Sequence, residues 1–346
     1  MIANRKIERI SYVIINVLYS RFENFPEDTA DNRNAPFHTA FLNAFTDKFQ
    51  DKVPDIPYLI TMSSWLHGLN TTLGQTFFEK TAHILSDGEK REYTSARSGL
   101  LKITKKQSDM IGEIMSDLYN NVHTPNIKRE ESLLYSLNNG EEVNATGFSV
   151  DVYFETQDEV VAIEMKSVKP NSGEMRGEKK KILEGKTALN RKNPNKDLKF
   201  YIGFPFDPTG NGVESNKVRF ANTVINLTKS FAYDEMLLGD ELWNKLSGAD
   251  GTMQKLLDII NGIATPDFQD KYNYINNLSN RATEKYREIL NCWNLYDELY
   301  ILDNIENLTA LANNDRTLQR LLNGHLFDSK GNYNTDRVSD ILFYII

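Results

Sequence analysis

Three residues near the centre of the chain have the types and spacing required for metal-assisted hydrolysis of a phosphodiester. Glu164 and Lys166 are two positions apart in a segment rich in Val and Ile, so both side chains project from one face of a strand. Asp151 lies thirteen positions earlier, in a segment of alternating polarity. Two carboxylates on neighbouring strands form a hard oxygen site suited to Mg²⁺, and the lysine places a positive charge beside a bound phosphate. Asp151, Glu164 and Lys166 are therefore predicted to be catalytic.

The Glu-x-Lys spacing is common in itself, and the chain has two further examples, at 178–180 and 184–186. Both fall on a predicted helix, where residues two apart face different directions. Only 164–166 lies on a predicted strand, and charged side chains in so apolar a strand are costly unless something is bound there. The alternative is an edge strand whose outer face is simply solvated.

The elements that must position these residues are two strands joined by a polar turn. Residues 148–154 alternate in polarity, 155–159 are polar and 160–168 are rich in Val and Ile, which predicts a β-hairpin. A basic helix over 174–191 and a third strand over 198–204 follow, so the centre is predicted to be β, β, α, β. Helices are predicted on both sides of it: over 7–22, 37–49, 74–85 and 107–120, and from residue 216 onward.

The hairpin resembles the PD-(D/E)XK nucleases. The matching segments are GFSVDVYF (147–154) and VAIEMKS (161–167), with Val150 where that superfamily often has proline. The resemblance implies an α/β (α+β) fold with a mixed central sheet flanked by N-terminal and C-terminal helices. It also implies that Asp151, Glu164 and the backbone carbonyl of Met165 bind Mg²⁺, while Lys166 acts on the attacking water or the scissile phosphate.

The same superfamily often places a glutamate on its first helix, near the metal. The best match is Glu79, within TLGQTFFEKTAHIL (72–85). The resemblance therefore makes Glu79 a candidate fourth catalytic residue. The alternative is an ordinary solvated glutamate on the polar side of this helix.

Four further segments resemble the TdeIII type of restriction endonuclease. That resemblance implies a homodimer that cuts double-stranded DNA at a short, GGNCC-like palindrome. A type II restriction endonuclease is further expected to leave 5′-phosphate ends and to have a cognate DNA methyltransferase as its partner in the restriction system. The segments are 34–40, the helix around Glu79, 166–174 and 237–248.

The distribution of charge fits a DNA substrate better than the total charge does. The chain has a formal charge of -8, but 11 basic and 4 acidic residues between Lys166 and Lys199 give that stretch +7 and leave the remainder at −15. A local basic surface on an acidic protein suits selective phosphate contact, although a solvated lysine-rich helix is the alternative. The predicted DNA contacts are Lys169, Asn171, Ser172, Lys179, Lys180, Lys186 and Arg191.

Several classes of protein are excluded by what the sequence lacks. The single cysteine, Cys292, rules out an intramolecular disulfide framework and a Cys-based zinc site, which fits a cytoplasmic protein. No GxxxxGK[ST] loop is present, so ATP dependence is not expected. No apolar stretch is long enough to span a membrane, and the apolar residues of 7–18 recur at helical spacing, unlike a signal peptide.

We therefore predict one integrated endonuclease unit over 1–346, with an N-terminal helical part (1–69), a catalytic core (70–235) and a C-terminal helical part (236–346). The predicted function is that of a Mg²⁺-dependent type II restriction endonuclease. Two alternatives remain: a repair or recombination nuclease that recognises DNA structure instead of sequence, and a DNA-binding protein of the same fold without catalysis. The presence of Asp151, Glu164 and Lys166 together argues against the second.

Overall fold

The protein is described here from a computed structural model, which covers residues 1–26, 42, 56–166 and 172–345, without the side chains of 57 and 172–174. It divides into two compact units. The first unit comprises Met1–Ile2 and Thr81–Leu257, and the second comprises Ala3–Lys80 and Asp258–Ile346. The predicted helix over 37–49 lies outside the described residues, and the predicted limits of the three parts stay a prediction.

Seven strands are found in the described residues. They are β1 (Glu89–Tyr93), β2 (Lys102–Thr104), β3 (Glu142–Asn144), β4 (Phe148–Glu155), β5 (Glu159–Met165), β6 (Asp197–Phe204) and β7 (Met236–Leu238). Helices α1 to α8 are Asn4–Phe22, Ile56–Thr72, Glu79–Ser86, Lys105–Tyr119, Ile127–Tyr135, Ser172–Lys192, Lys217–Thr223 and Leu227–Ser230. Helices α9 to α16 are Asp240–Ser247, Thr252–Ile263, Phe268–Asn276, Glu284–Cys292, Tyr296–Asp303, Ile305–Ala312, Arg316–Leu322 and Thr335–Leu342. A π-helical segment, Leu73–Phe78, joins α2 to α3, and 3-10 turns occupy Tyr233–Glu235 and Leu278–Asn280.

The first unit is built on a mixed five-stranded sheet of order β1-β4-β5-β6-β7. The pairs β1–β4 and β4–β5 are antiparallel, whereas β5–β6 and β6–β7 are parallel. The predicted α/β fold with a mixed central sheet and flanking helices is confirmed, as are the β4–β5 hairpin, the following helix and β6. The sequence did not predict β1, because its residues, EKREY, are mostly charged and lack an apolar alternation.

Helix α6 packs closely on the sheet and connects β5 to the parallel strand β6. Met175, Ile182 and Leu189 recur every seven positions along it and are buried against side chains of β4, β5 and β6. Gly185 permits this close approach, since a Cβ there would lie 2.9 Å from Phe200 and 3.0 Å from Phe148. The strand β5, whose five central residues are all buried, lies in the middle of the sheet.

Lys179 of α6 is fully buried, which contradicts the prediction that it contacts DNA. Its Nζ lies 2.8 Å from Glu130 Oε2 of α5 and 2.7 Å from Glu235 Oε1. Burial raises the pKa of Glu130, and Lys179 only partly offsets this. The lysine therefore compensates two buried carboxylates and holds α5 and the Tyr233–Glu235 turn to α6.

The second unit is helical in its described part. The predicted N-terminal helix is observed as α1, with Ile7, Ile10 and Ile14 buried on one side. Its Glu8 is also buried, and Glu8 Oε1 accepts a hydrogen bond of 2.8 Å from the backbone N–H of Asp297. No helix in the described residues is long and apolar enough to cross a membrane.

We expect Lys179→Met to destabilise the first unit by about 3–5 kcal/mol, because it leaves two buried carboxylates without their shared cation. Urea unfolding followed by circular dichroism measures this. The matched control is Lys180→Met on the next residue, whose side chain is 59% exposed, and it should change stability by under ~0.5 kcal/mol. Equal effects of the two substitutions would contradict the assigned role of Lys179.

Burial raises the pKa of Glu8 to about 7, despite the hydrogen bond from the amide of Asp297. In the unfolded chain the Glu8 carboxyl loses its proton near the ordinary pKa of 4.5, whereas in the folded chain it keeps the proton up to about pH 7. The stability of the folded state therefore falls as the pH rises from 4.5 through about 7. Glu8→Gln keeps an oxygen that can accept the hydrogen bond from the backbone N–H of Asp297. Because glutamine does not ionise, the substitution removes this fall in stability.

The variant should consequently be more stable than the wild type at pH 8, by up to about 3 kcal/mol, and show little gain at pH 5. Thermal melts at the two pH values measure the difference. Glu288→Gln, an exposed position on α12, is the matched control. A gain of equal size at pH 5 and pH 8 would show that the charge of Glu8 is not its cause.

Candidate active site

The two predicted metal-binding carboxylates meet across the β4–β5 hairpin. Val152 pairs with Ile163 in the antiparallel register, which brings the preceding Asp151 opposite the following Glu164. Asp151 Oδ2 accepts a hydrogen bond of 3.0 Å from the backbone N–H of Met165. The hairpin geometry therefore places Asp151, Glu164 and the Met165 backbone together, as the sequence predicts.

Glu164 is the most deeply buried carboxylate of this group, with only 4% of its surface exposed. Its Oε1 contacts lysine side chains, whereas Oε2 has no hydrogen-bond partner in the part of the chain that the structure describes. Burial raises the pKa of Glu164, and the charge of Asp151 raises it further. A buried anionic oxygen without a donor is costly, and it calls for a cation or donor that binds there.

Lys166 is held by both its backbone and its side chain. Its N–H donates a hydrogen bond of 2.9 Å to the carbonyl of Gly203, continuing the parallel pairing of β5 with β6. Its Nζ lies 3.1 Å from Glu164 Oε1 and 2.9 Å from Glu178 Oε1. Burial disfavours the charged form, but Glu164 and Glu178 outweigh it and raise the pKa of Lys166, so the side chain is a fixed ammonium group.

Helix α6 contributes two residues that the sequence analysis missed. Lys181 Nζ lies 2.6 Å from Glu164 Oε1 and 3.3 Å from Glu178 Oε2. In the sequence, Glu178 is part of a Glu-x-Lys pair on a predicted helix, where residues two apart face different directions. The informative spacing is a different one: Glu178 stands three residues after the buried Met175, on the face of α6 that packs on the sheet, and Lys181 follows one turn later.

Asp151 has two further neighbours within the first unit. Lys90 Nζ of β1 lies 3.3 Å from Asp151 Oδ1, and His83 Nε2 of α3 lies 2.6 Å from the backbone oxygen of Asp151. Lys90 was missed because β1 itself was not predicted. This end of the hairpin therefore brings together three carboxylates and three lysines, in contact with one another: Asp151, Glu164 and Glu178, and Lys90, Lys166 and Lys181.

The oxygen ligands at this site are few, but they fit a divalent cation of the Mg²⁺ type. Within residues 1–26, 42, 56–166 and 172–345, no group of three or more His, Cys, Asp or Glu side chains converges as a ready-made metal site. Asp151 and Glu164 supply two carboxylates, and Glu164 Oε2 is an unpartnered buried oxygen. Mg²⁺ characteristically takes one or two protein carboxylates and completes its shell with water and substrate phosphate, so these residues suffice.

Comparison with known proteins identifies the family to which this chain belongs. The family model for HinfI, a type II restriction endonuclease, matches residues 2–264. The chain belongs to the HinfI-type family of type II restriction endonucleases. It is also 42% identical to the type II restriction enzyme MjaII of Methanocaldococcus jannaschii over 97% of this chain and 96% of that protein. No solved structure matches the chain.

This restriction endonuclease is accordingly a site-specific deoxyribonuclease, and DNA is its substrate. The matching family is the HinfI type, and neither comparison concerns the TdeIII type. The predicted catalytic residue Glu79 begins α3 and is half-buried, in the second unit. Its role stays a prediction.

The basic residues predicted to contact DNA are used in different ways. Lys186 is buried, with Nζ 2.6 Å from Glu131 Oε1 of α5, and Arg191 contacts the carbonyl of Asn138 at 2.6 Å and Glu142 Oε1 at 2.6 Å. These side chains connect α6 to its neighbours, so Lys186, like Lys179, does not form the exposed phosphate contact that was predicted. Lys180 is exposed, whereas Lys169, Asn171 and the side chain of Ser172 lie outside the described residues.

Proposed function

We propose that this restriction endonuclease uses a PD-(D/E)XK active site to hydrolyse double-stranded DNA in a Mg²⁺-dependent reaction that leaves 5′-phosphate ends. The observation that carries the proposal is the meeting of Asp151, Glu164 and Lys166 at one edge of the β4–β5 hairpin, with a buried Glu164 oxygen that lacks a donor. Family membership makes DNA the substrate, and this hairpin is the place where a metal ion and a phosphate can meet.

In the proposed reaction Asp151, Glu164 and the carbonyl of Met165 would hold the Mg²⁺ ion. When bound, this ion polarises the scissile phosphate and lowers the pKa of the water that attacks it. Lys166 keeps its ammonium beside Glu164, where it stabilises the negative charge that grows on the phosphate. The backbone link from Lys166 to Gly203 and the contact with Glu178 fix this charge before substrate arrives.

The proposal extends to how the DNA is bound. A homodimer would read a palindromic site by using one copy of the hairpin on each strand. The resemblance to the TdeIII type supports a GGNCC-like target, and a restriction system is expected to include a cognate methyltransferase. On α6, Lys180 is exposed and next to Lys181, so it is the residue of this helix best placed to contact a phosphate near the site.

Lys166→Ala should reduce single-turnover cleavage by about 100- to 1000-fold, because it removes the fixed cation beside the reacting phosphate. Digestion of a plasmid into discrete bands measures the rate. Lys255→Ala, an exposed lysine of α10, is the matched control and should cut at the wild-type rate. Wild-type cleavage by Lys166→Ala would overturn the assignment.

Cleavage should require a divalent cation and both carboxylates. Asp151→Asn keeps an acceptor for the N–H of Met165 but weakens the hard oxygen site, so it should need more Mg²⁺ for the same rate and cut at least ~100-fold more slowly at saturation. The test is a Mg²⁺ titration of both proteins, with EDTA as the blank. Full activity in excess EDTA would eliminate the two-carboxylate site.

Lys180→Ala should weaken DNA binding at every sequence and reduce the slope of log affinity against log salt by about 1, as expected for one lost phosphate contact. Fluorescence anisotropy in EDTA, where the proposed metal-dependent cleavage does not proceed, measures the slope. Lys255→Ala again serves as the control. An unchanged slope would remove Lys180 from the DNA surface.

A further inference from the structure

Four side chains at the candidate site form a closed ring of alternating charge. Lys166 and Lys181 each contact both Glu164 and Glu178, so every charge in the ring lies between two of the opposite sign. The formal charge of these four groups is zero. Two come from the strand end at β5 and two from one turn of α6, so the ring joins the proposed catalytic strand to the helix behind it.

The contact between Lys181 and Glu164 is the shortest of the ring, at 2.6 Å. Both lysines lie on Oε1 of Glu164, and Oε2 is the oxygen left without a donor. The side chain of Lys181 is 22% exposed, whereas that of Glu164 is only 5% exposed. Lys181 therefore has access to solvent, whereas Glu164 does not, and a buried carboxylate that loses one cation requires another.

From this geometry we infer that Lys181 and Glu178 are positioning residues with opposed effects on the metal site. Lys181 is a built-in counter-cation that neutralises Glu164 until a divalent cation takes its place. Glu178 balances the two lysines and keeps the ammonium of Lys166 beside Glu164. The inference rests on the proposed function, since it concerns the affinity of the same carboxylates for Mg²⁺.

The inference predicts changes of opposite sign from two neighbouring substitutions. Lys181→Met leaves the ring with a charge of −1 and removes the competitor for Glu164, so the site should bind a divalent cation more tightly. Glu178→Gln leaves the ring at +1 and should weaken binding. Combining the two substitutions restores a ring charge of zero, so the affinity for the cation should return close to that of the wild type. A residue with only a structural role would weaken binding whichever charge it carried.

The experiment is isothermal titration calorimetry of the full-length protein with Mn²⁺, without DNA, so that the readout is independent of cleavage. Mn²⁺ shares the preference of Mg²⁺ for carboxylate and water ligands. We expect binding about tenfold tighter for Lys181→Met, about tenfold weaker for Glu178→Gln, and within threefold of wild type for the double variant. Lys181→Arg and Glu178→Asp conserve the charges and should stay within threefold of wild type.

Circular dichroism melts check that each variant is folded, and Lys181→Gln replaces Lys181→Met if the latter does not fold. If Mn²⁺ binds the wild type but the two single substitutions shift its affinity in the same direction, or not at all, the inference is overturned and the proposed metal-dependent function stands. If the wild type binds no Mn²⁺ in this titration, the inference is overturned, and the proposed function fails with it only if cleavage also proceeds in excess EDTA.

Discussion

The structure of the candidate site depends on compensating the charge of one buried carboxylate. Glu164 lies on a strand in the middle of the sheet, where an uncompensated anion would be far more costly than at the surface. The second acid that β4 brings, Asp151, increases the need for this compensation. The other elements supply it or keep it in place: β6 fixes the backbone of Lys166, and α6 supplies Lys181. Under the proposed function, binding of the metal ion would replace one form of compensation by another.

Helix α6 has two separate electrostatic roles. On one side it faces the hairpin through Glu178 and Lys181, and on another it holds α5 through Lys179 and Lys186. The net charge of this segment therefore overstates its capacity to bind DNA. Most of its lysines and arginines in the described structure are paired with carboxylates of the same unit, and a composition count cannot separate these from exposed ones.

The hairpin and the placement of its charged side chains could be predicted from the sequence because they depend on local patterns. Alternation places Asp151 on a strand, and Glu-x-Lys in an apolar run places Glu164 and Lys166 on one face. Lys90, Glu178 and Lys181 could not be predicted in the same way. Their roles depend on which strand pairs with β4 and on how α6 is rotated against the sheet, and both are fixed by packing between distant segments. The buried state of Lys179 was missed for the same reason.

The four residues from Glu178 to Lys181 also limit which mutations this helix can accept during evolution. Its four consecutive side chains point, in turn, to the candidate site, to a buried pair of carboxylates, to solvent and back to the candidate site. Because each residue turns the helix by about 100°, inserting or deleting one residue before this run would exchange all of these environments at once. The segment can therefore accept substitution at its solvent-facing position, but a change of length there would disturb the site and the core together.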